Sequence, residues 1–189
     1  MKSDRIRMSV EVSAPPEDVY KAWLSGRSHG AMTGSHATGS AREGTRFTSW
    51  DGYIEGENLS LEPYAHILQA WRAEDFPEQA PPSRLEISLV ATRVGTRLLL
   101  THTELPAGSA EGYAQGWREF YFEPMRSYFA RRSTSKVRAG VKKAAAQKPK
   151  RAASSSARTA VKAKPSTRAA TRAPTKKKAA KPAKKVARR

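Results

Sequence analysis

Gly26-Arg27-Ser28-His29-Gly30 spells the G-x-S-x-G pattern of a serine nucleophile. That chemistry places the serine on a sharp strand-to-helix turn, but the residues before Gly26 read as helix, so no nucleophile is expected there. Gly39 to Thr45 spaces its glycines like a phosphate loop, yet Glu43 and Gly44 stand where the phosphate-reaching cation belongs. His29, His36, His66 and His102 form none of the i,i+4 pairs that hold a metal on one helix face. His66 and His102 are expected at strand ends, with His29 and His36 capping or orienting the Gly/Ser-rich loop. Glu55 and Glu57 lie two apart and face one way, whereas acid–base catalysis sets carboxylates against each other across a substrate. No metal or cofactor is expected.

Two sets of residues carry more. Trp23, Trp50, Tyr53, Trp71, Trp117 and Tyr121 are large rings with an N–H or O–H each. They serve either a packed core or the wall of a ligand cleft. The second set is basic: Lys142, Lys143, Lys148, Lys150, Arg151, Lys162, Lys164, Arg168, Arg172, Lys176, Lys177, Lys178, Lys181, Lys184, Lys185, Arg188 and Arg189. Such a run neutralises phosphates and releases their counterions, so nucleic acid is the expected partner, with another polyanion, an anionic membrane surface or simple solubilisation as the alternatives. Without aromatics it cannot stack on bases, and without a scaffold it cannot hold Arg against a base edge, so little sequence preference is expected.

The elements that position these residues are legible in the periodicity. Arg5 to Ser13 alternates, with Ile6, Met8, Val10 and Val12 on one face, as in a half-buried strand. Pro15-Pro16-Glu17-Asp18 suits a helix N-terminus, and Val19, Tyr20, Trp23 and Leu24 continue it as an apolar stripe. Ser25 to Thr45 has no clear period, although Gly30 to Met32 has room for a helical turn. Arg46–Trp50 and Tyr53–Leu61 flank Asp51-Gly52, which predicts a hairpin with a two-residue type I′ turn. Further strands are predicted over 66–72, 83–92 and 97–103. Tyr113, Trp117, Phe120, Tyr121, Pro124, Met125 and Tyr128 then form one stripe, which predicts a long helix bent at Pro124.

Composition divides the 189-residue chain near Ala130. Residues 1–130 hold 13 Lys and Arg against 17 Asp and Glu, and every Trp, Tyr and Phe. Residues 131–189 hold 22 Lys and Arg and no acid. The expectation is an α+β domain over 1–130, an antiparallel sheet wrapped around a long C-terminal helix, and a disordered Lys/Arg/Ala/Pro-rich tail over 131–189. The absence of cysteine excludes disulfides, iron–sulfur clusters and a thiol nucleophile. No run approaches the roughly 18 apolar residues of a membrane span, and the first residues lack a secretory pattern. A cytoplasmic protein associated with the nucleoid, or nuclear in a eukaryote, is expected.

VEVSAPPEDVYKAW (Val10–Trp23), DGYIEGENLSLEPYAHILQAWR (Asp51–Arg72) and EGYAQGWREFYFEPMRSYFA (Glu111–Ala130) resemble the START-type helix-grip domain of the activator of heat-shock-protein-90 ATPase. The similarity covers about residues 5–130. It implies structural roles for Pro15, Gly52, Gly56, Pro63, Trp71, Gly116, Trp117, Tyr121 and Phe122. It also implies a non-enzymatic interaction or ligand-binding domain, with a heat-shock-protein-90-type chaperone or a small hydrophobic ligand as further partners. A carrier or enzyme using the cleft is the alternative. The activator's separate N-terminal domain has no counterpart in this sequence. The basic segment resembles linker-histone tails in composition.

Overall fold

The computed structural model describes the backbone of residues 3–146 and the side-chain surroundings of residues 3–135. Six antiparallel strands make one sheet: β1 (Ser3–Val12), β2 (Arg46–Ser49), β3 (Ile54–Glu62), β4 (His66–Ala73), β5 (Ser83–Thr92) and β6 (Gly95–Pro106), in the order β1-β6-β5-β4-β3-β2. Helices α1 (Pro16–Leu24) and α2 (Gly26–Thr33) join β1 to β2, and α3 (Ala110–Gly116) and α4 (Glu123–Ala146) follow β6. This is the expected helix-grip arrangement. Alternation supplies the sheet's buried face: Ile67, Leu85, Ile87, Leu98 and Leu100 are sealed from solvent. Trp23 from α1, Trp117 and Tyr121 from between α3 and α4, and Met125 and Phe129 from α4 close over it. Residues Met1–Lys148 form one compact unit, so α4 continues beyond Ala130, where the composition changes.

The structure corrects three local expectations. The β2–β3 hairpin is closed by the Ser49–Ile54 pair, leaving Trp50 to Tyr53 as a four-residue turn instead of two. Trp50 has φ +54° and Asp51 φ +57°, a region a bulky residue rarely enters. Tertiary contacts hold it there: the Trp50 ring packs edge-on against Phe120 and Tyr121, and the Asp51 carboxylate accepts from Ser35 at 2.5 Å.

The predicted single helix is interrupted by a π-helical turn over Trp117–Phe122. Pro124 has no N–H to offer the Phe120 carbonyl and its ring would crowd that oxygen. The wider turn, in which Glu123 N–H reaches Arg118 O, accommodates the misfit just before the proline. Finally, His102 is buried within β6 and not at a strand end. His29 is likewise buried, while His36 is exposed and His66 begins β4 beside Glu86.

Gly95 is set by geometry at the β5–β6 turn. Its φ is +151°, and a Cβ there would stand 2.0 Å from the Val12 carbonyl oxygen and 2.9 Å from the Ala14 nitrogen. Both are backbone atoms, which cannot swing aside. Gly95→Ala is expected to destabilise the chain by about 3 kcal/mol, read as a lower urea midpoint at unchanged slope. An unchanged midpoint would mean that the turn re-forms freely and constrains nothing.

Candidate functional site

Between the open end of the sheet and α3 lies a cleft of about 660 Å³. Rings in consecutive contact make its wall. Phe120 meets Trp50 at 5.5 Å between centroids, Trp50 meets Tyr121 at 6.1 Å, and Tyr121 meets Trp117 at 4.4 Å. Trp117 meets Trp71 at 6.0 Å, and Trp71 meets Tyr113 at 5.6 Å. The inner rings, Trp71, Trp117 and Tyr121, are buried, while Phe120 and Tyr53 at the rim are 52% and 40% exposed. Gly112 and Gly116, four residues apart on one face of α3, also line the space. A Cβ on Gly112 would meet nothing within 4 Å.

Asp75, in the loop after β4, supplies the cleft's carboxylate. The Tyr113 hydroxyl donates to its Oδ1 at 2.7 Å, and the Tyr53 phenol lies near enough to feel the same carboxylate. Burial, and then Asp75, push the Tyr53 phenol up to about 12 and the Tyr113 phenol higher still. Burial also raises Tyr121 to about 12. All three are therefore hydroxyl donors at neutral pH. Asp4 of β1 helps fix this side of the cleft: its carboxylate accepts from the Ala110 N–H and so caps α3, where Ser109 supplies no side-chain cap. A bulge in β6 at Glu104, φ +61°, shifts the β1–β6 register beside that contact.

Behind the aromatic wall run two buried polar chains. In the first, Trp117 Nε1–H donates to His102 Nδ1 at 3.2 Å, and His102 Nε2 lies 2.7 Å from Ser83 Oγ, which donates to the Trp71 carbonyl at 2.8 Å. With Nδ1 accepting, the imidazole proton must sit on Nε2 and point at Ser83. A serine nucleophile needs the reverse, a ring nitrogen free to take its proton. Ser83 and His102 are therefore a positioning pair beneath Trp71 and Trp117. Burial pulls the His102 pKa down to about 3, so the ring is neutral at pH 7.

In the second chain, Trp23 Nε1–H donates to Gln69 Oε1 at 3.1 Å, Gln69 to Asn58 Oδ1 at 2.7 Å, and Asn58 to the carbonyls of Ser40 and Arg42 at 2.9 and 3.1 Å. It ties the Gly39–Thr45 loop to β3, a structural use for the loop with phosphate-like glycine spacing. Gly26–Gly30 opens α2 with Ser28 N–H capped by Ser25, and no strand feeds into it. Glu55 is exposed and Glu57 half-buried on β3. No three His, Asp, Glu or Cys side chains gather as a metal site among the described residues.

Of the six rings expected at a cleft, Trp50, Tyr53, Trp71, Trp117 and Tyr121 line it together. Trp23 does not. It lies behind, stacked on Trp117 at 6.2 Å and beside a void of about 10 Å³, and so serves the packed core. Sequence reasoning missed Asp75 and the two glycines as site residues, and read Tyr113 and Phe120 only as helix stripe. Of the basic residues, Lys142 and Lys143 fall in the last turns of α4, and Lys148 to Arg189 lie outside the described residues. Among the described residues, no helix is long and apolar enough to cross a membrane.

Comparison with known proteins agrees with this architecture. A Mesorhizobium loti protein superposes with a TM-score of 0.58 at 21% identity, over 68% of this chain and 98% of that one. An HSP90 activator from Plasmodium falciparum gives 0.54 at 23% identity, over 64% and 89%. By sequence, the human activator of 90 kDa heat shock protein ATPase homolog 1 is 30% identical over 114 residues, 60% of this chain and 33% of that protein. The Dictyostelium discoideum activator homolog is 25% identical over 126 residues, again 33% of its length. The chain thus spans about a third of the curated relatives it matches. Residues 13–130, well over half of the chain, match the family described as Activator of Hsp90 ATPase homolog 1-like protein, and the chain belongs to that family.

Proposed function

We propose that residues 1–148 act as a non-enzymatic binding domain that takes a small, largely apolar ligand in the cleft, and that the basic C-terminal segment tethers it to nucleic acid. The observation that carries the first half is the cleft itself. Its roughly 660 Å³ lies within the 300–1,000 Å³ usual for small-molecule sites. Gly112 and Gly116 supply independent support. Each costs a helix roughly 1 kcal/mol relative to alanine, and at Gly112 no neighbour requires the missing side chain. What glycine does there is keep the cleft wide.

The test uses that open space. Gly112→Leu projects a side chain into the cleft without meeting the fold, and it favours helix. Wild-type protein is expected to bind the neutral fluorophore N-phenyl-1-naphthylamine, with the variant losing at least roughly tenfold in affinity and gaining slightly in thermal stability. Binding that is absent, or indifferent to the substitution, would remove the cleft as a ligand site.

A second reading, docking on a heat-shock-protein-90-type chaperone, is favoured by the human relative and the Plasmodium activator. Calorimetry against the cognate chaperone, with and without nucleotide, tests it, and no heat in either state would dispose of it.

A further inference from the structure

We propose that the cleft selects an organic cation, an alkylated or aromatic ammonium carried on an apolar body. This rests on the cleft being a ligand site and adds the charge of its occupant. The cleft is lined by Trp50, Tyr53, Trp71, Tyr113, Trp117, Phe120 and Tyr121, with no Lys, Arg or His among its lining residues. The faces of such rings are negative and attract cations, and alkylated ammonium ions, being weakly hydrated, gain most from them. Asp75 is the one carboxylate in the lining, and Glu74 precedes it.

The Asp75 carboxylate accepts from the Tyr113 hydroxyl, with Tyr53 beside it, but forms no ion pair among the described residues. The nearby Arg72 is spent elsewhere: its guanidinium donates to the carbonyls of Pro77 and Ala80 and lies over the Phe76 ring. An anion entering the cleft would meet an uncompensated carboxylate, a neutral ligand would leave it unused, and a cation would complete it. Tyr113 orients the carboxylate without cancelling its charge, because it donates a hydrogen bond and remains neutral.

The experiment compares benzyltrimethylammonium with its uncharged carbon analogue, neopentylbenzene, on the full-length chain at fixed salt, read by tryptophan fluorescence and calorimetry. The cation is expected to bind roughly five- to tenfold more tightly than the neutral analogue. Asp75→Asn should cut that preference at least roughly threefold, to the part the ring faces supply, while leaving neopentylbenzene unchanged. The substitution is at an exposed position, and the amide oxygen still accepts from Tyr113, so the fold should persist. Equal affinity for the two probes in wild type, or a preference that Asp75→Asn leaves undiminished, would overturn charge selection while leaving the cleft as a ligand site. If neither probe binds, both the selection and the ligand-site reading fall.

Discussion

A chain ending at Lys148 is expected to lose affinity for duplex DNA by several orders of magnitude relative to the full chain. Residues 149–189 carry 15 Lys and Arg and no acid. Removing them leaves a compact unit with 20 Lys and Arg against 17 Asp and Glu, close to neutral where the full chain carries +18. Binding by backbone neutralisation has a measurable signature, since each phosphate contact contributes about −0.9 to the slope of log K against log salt. With half of the 22 cations after Ala130 engaged, the full chain should show a slope of roughly −10. It should hold unrelated duplexes equally well, because nothing in that composition stacks on bases or fixes Arg against a base edge. A salt-series titration of both chains on two unrelated sequences reads all three quantities. Affinity that survives truncation would transfer nucleic-acid binding to the globular unit, and a shallow slope with sequence preference would replace backbone neutralisation by base readout.

The cleft became visible in the sequence only in part, and the reason differs from residue to residue. The strands were legible because one face of each is buried: Leu85, Ile87 and Leu89 in β5 alternate with exposed or half-buried neighbours. The same rule could have placed His102, which follows Leu98 and Leu100 at intervals of two and therefore points inward. It could also have placed Gln69, between Ile67 and Trp71 on the buried face of β4. Asp75 gave no such signal, since it acts through a loop whose course depends on contacts with Tyr53 and Tyr113, 22 and 38 residues away along the chain. Tyr113 and Phe120 share their stripe with core rings, and helical spacing alone does not separate a wall from a filling. The π-helical turn makes that separation, setting Trp117 and Tyr121 inward while Phe120 faces the rim. The positive φ of Trp50 is equally non-local, because Asp51-Gly52 announces a turn but not that the preceding tryptophan is drawn into it.

Acid should destabilise the domain steeply between about pH 6.5 and pH 3, with His102 as a principal cause. Its imidazole has an ordinary pKa of 6.5 in the unfolded chain and about 3 in the fold, lowered by burial. Above pH 6.5 both states hold it neutral and its contribution to stability is complete. As pH falls below 6.5 the unfolded state takes up a proton that the folded state refuses, so stability declines by about 1.4 kcal/mol per pH unit. The decline from this group ends near pH 3, where the folded ring protonates too. His29 adds in the same direction. Its pKa is lowered by burial despite the bond between Nδ1 and the Trp23 carbonyl at 2.9 Å, and its Nε2 has no partner among the described residues to accept a proton's bond. Replacing His102 by Gln keeps a polar group between Ser83 and Trp117 but removes the titration. His102→Gln should cost stability at pH 7, where a well-matched buried network is disturbed, yet show a pH dependence flatter by about one proton between pH 6 and 4. Urea unfolding of both proteins across that range decides it. Parallel curves would mean that the His102 ring protonates within the fold as readily as in the unfolded chain, and the Trp117 N–H, which cannot accept, would then have to give up its bond to Nδ1.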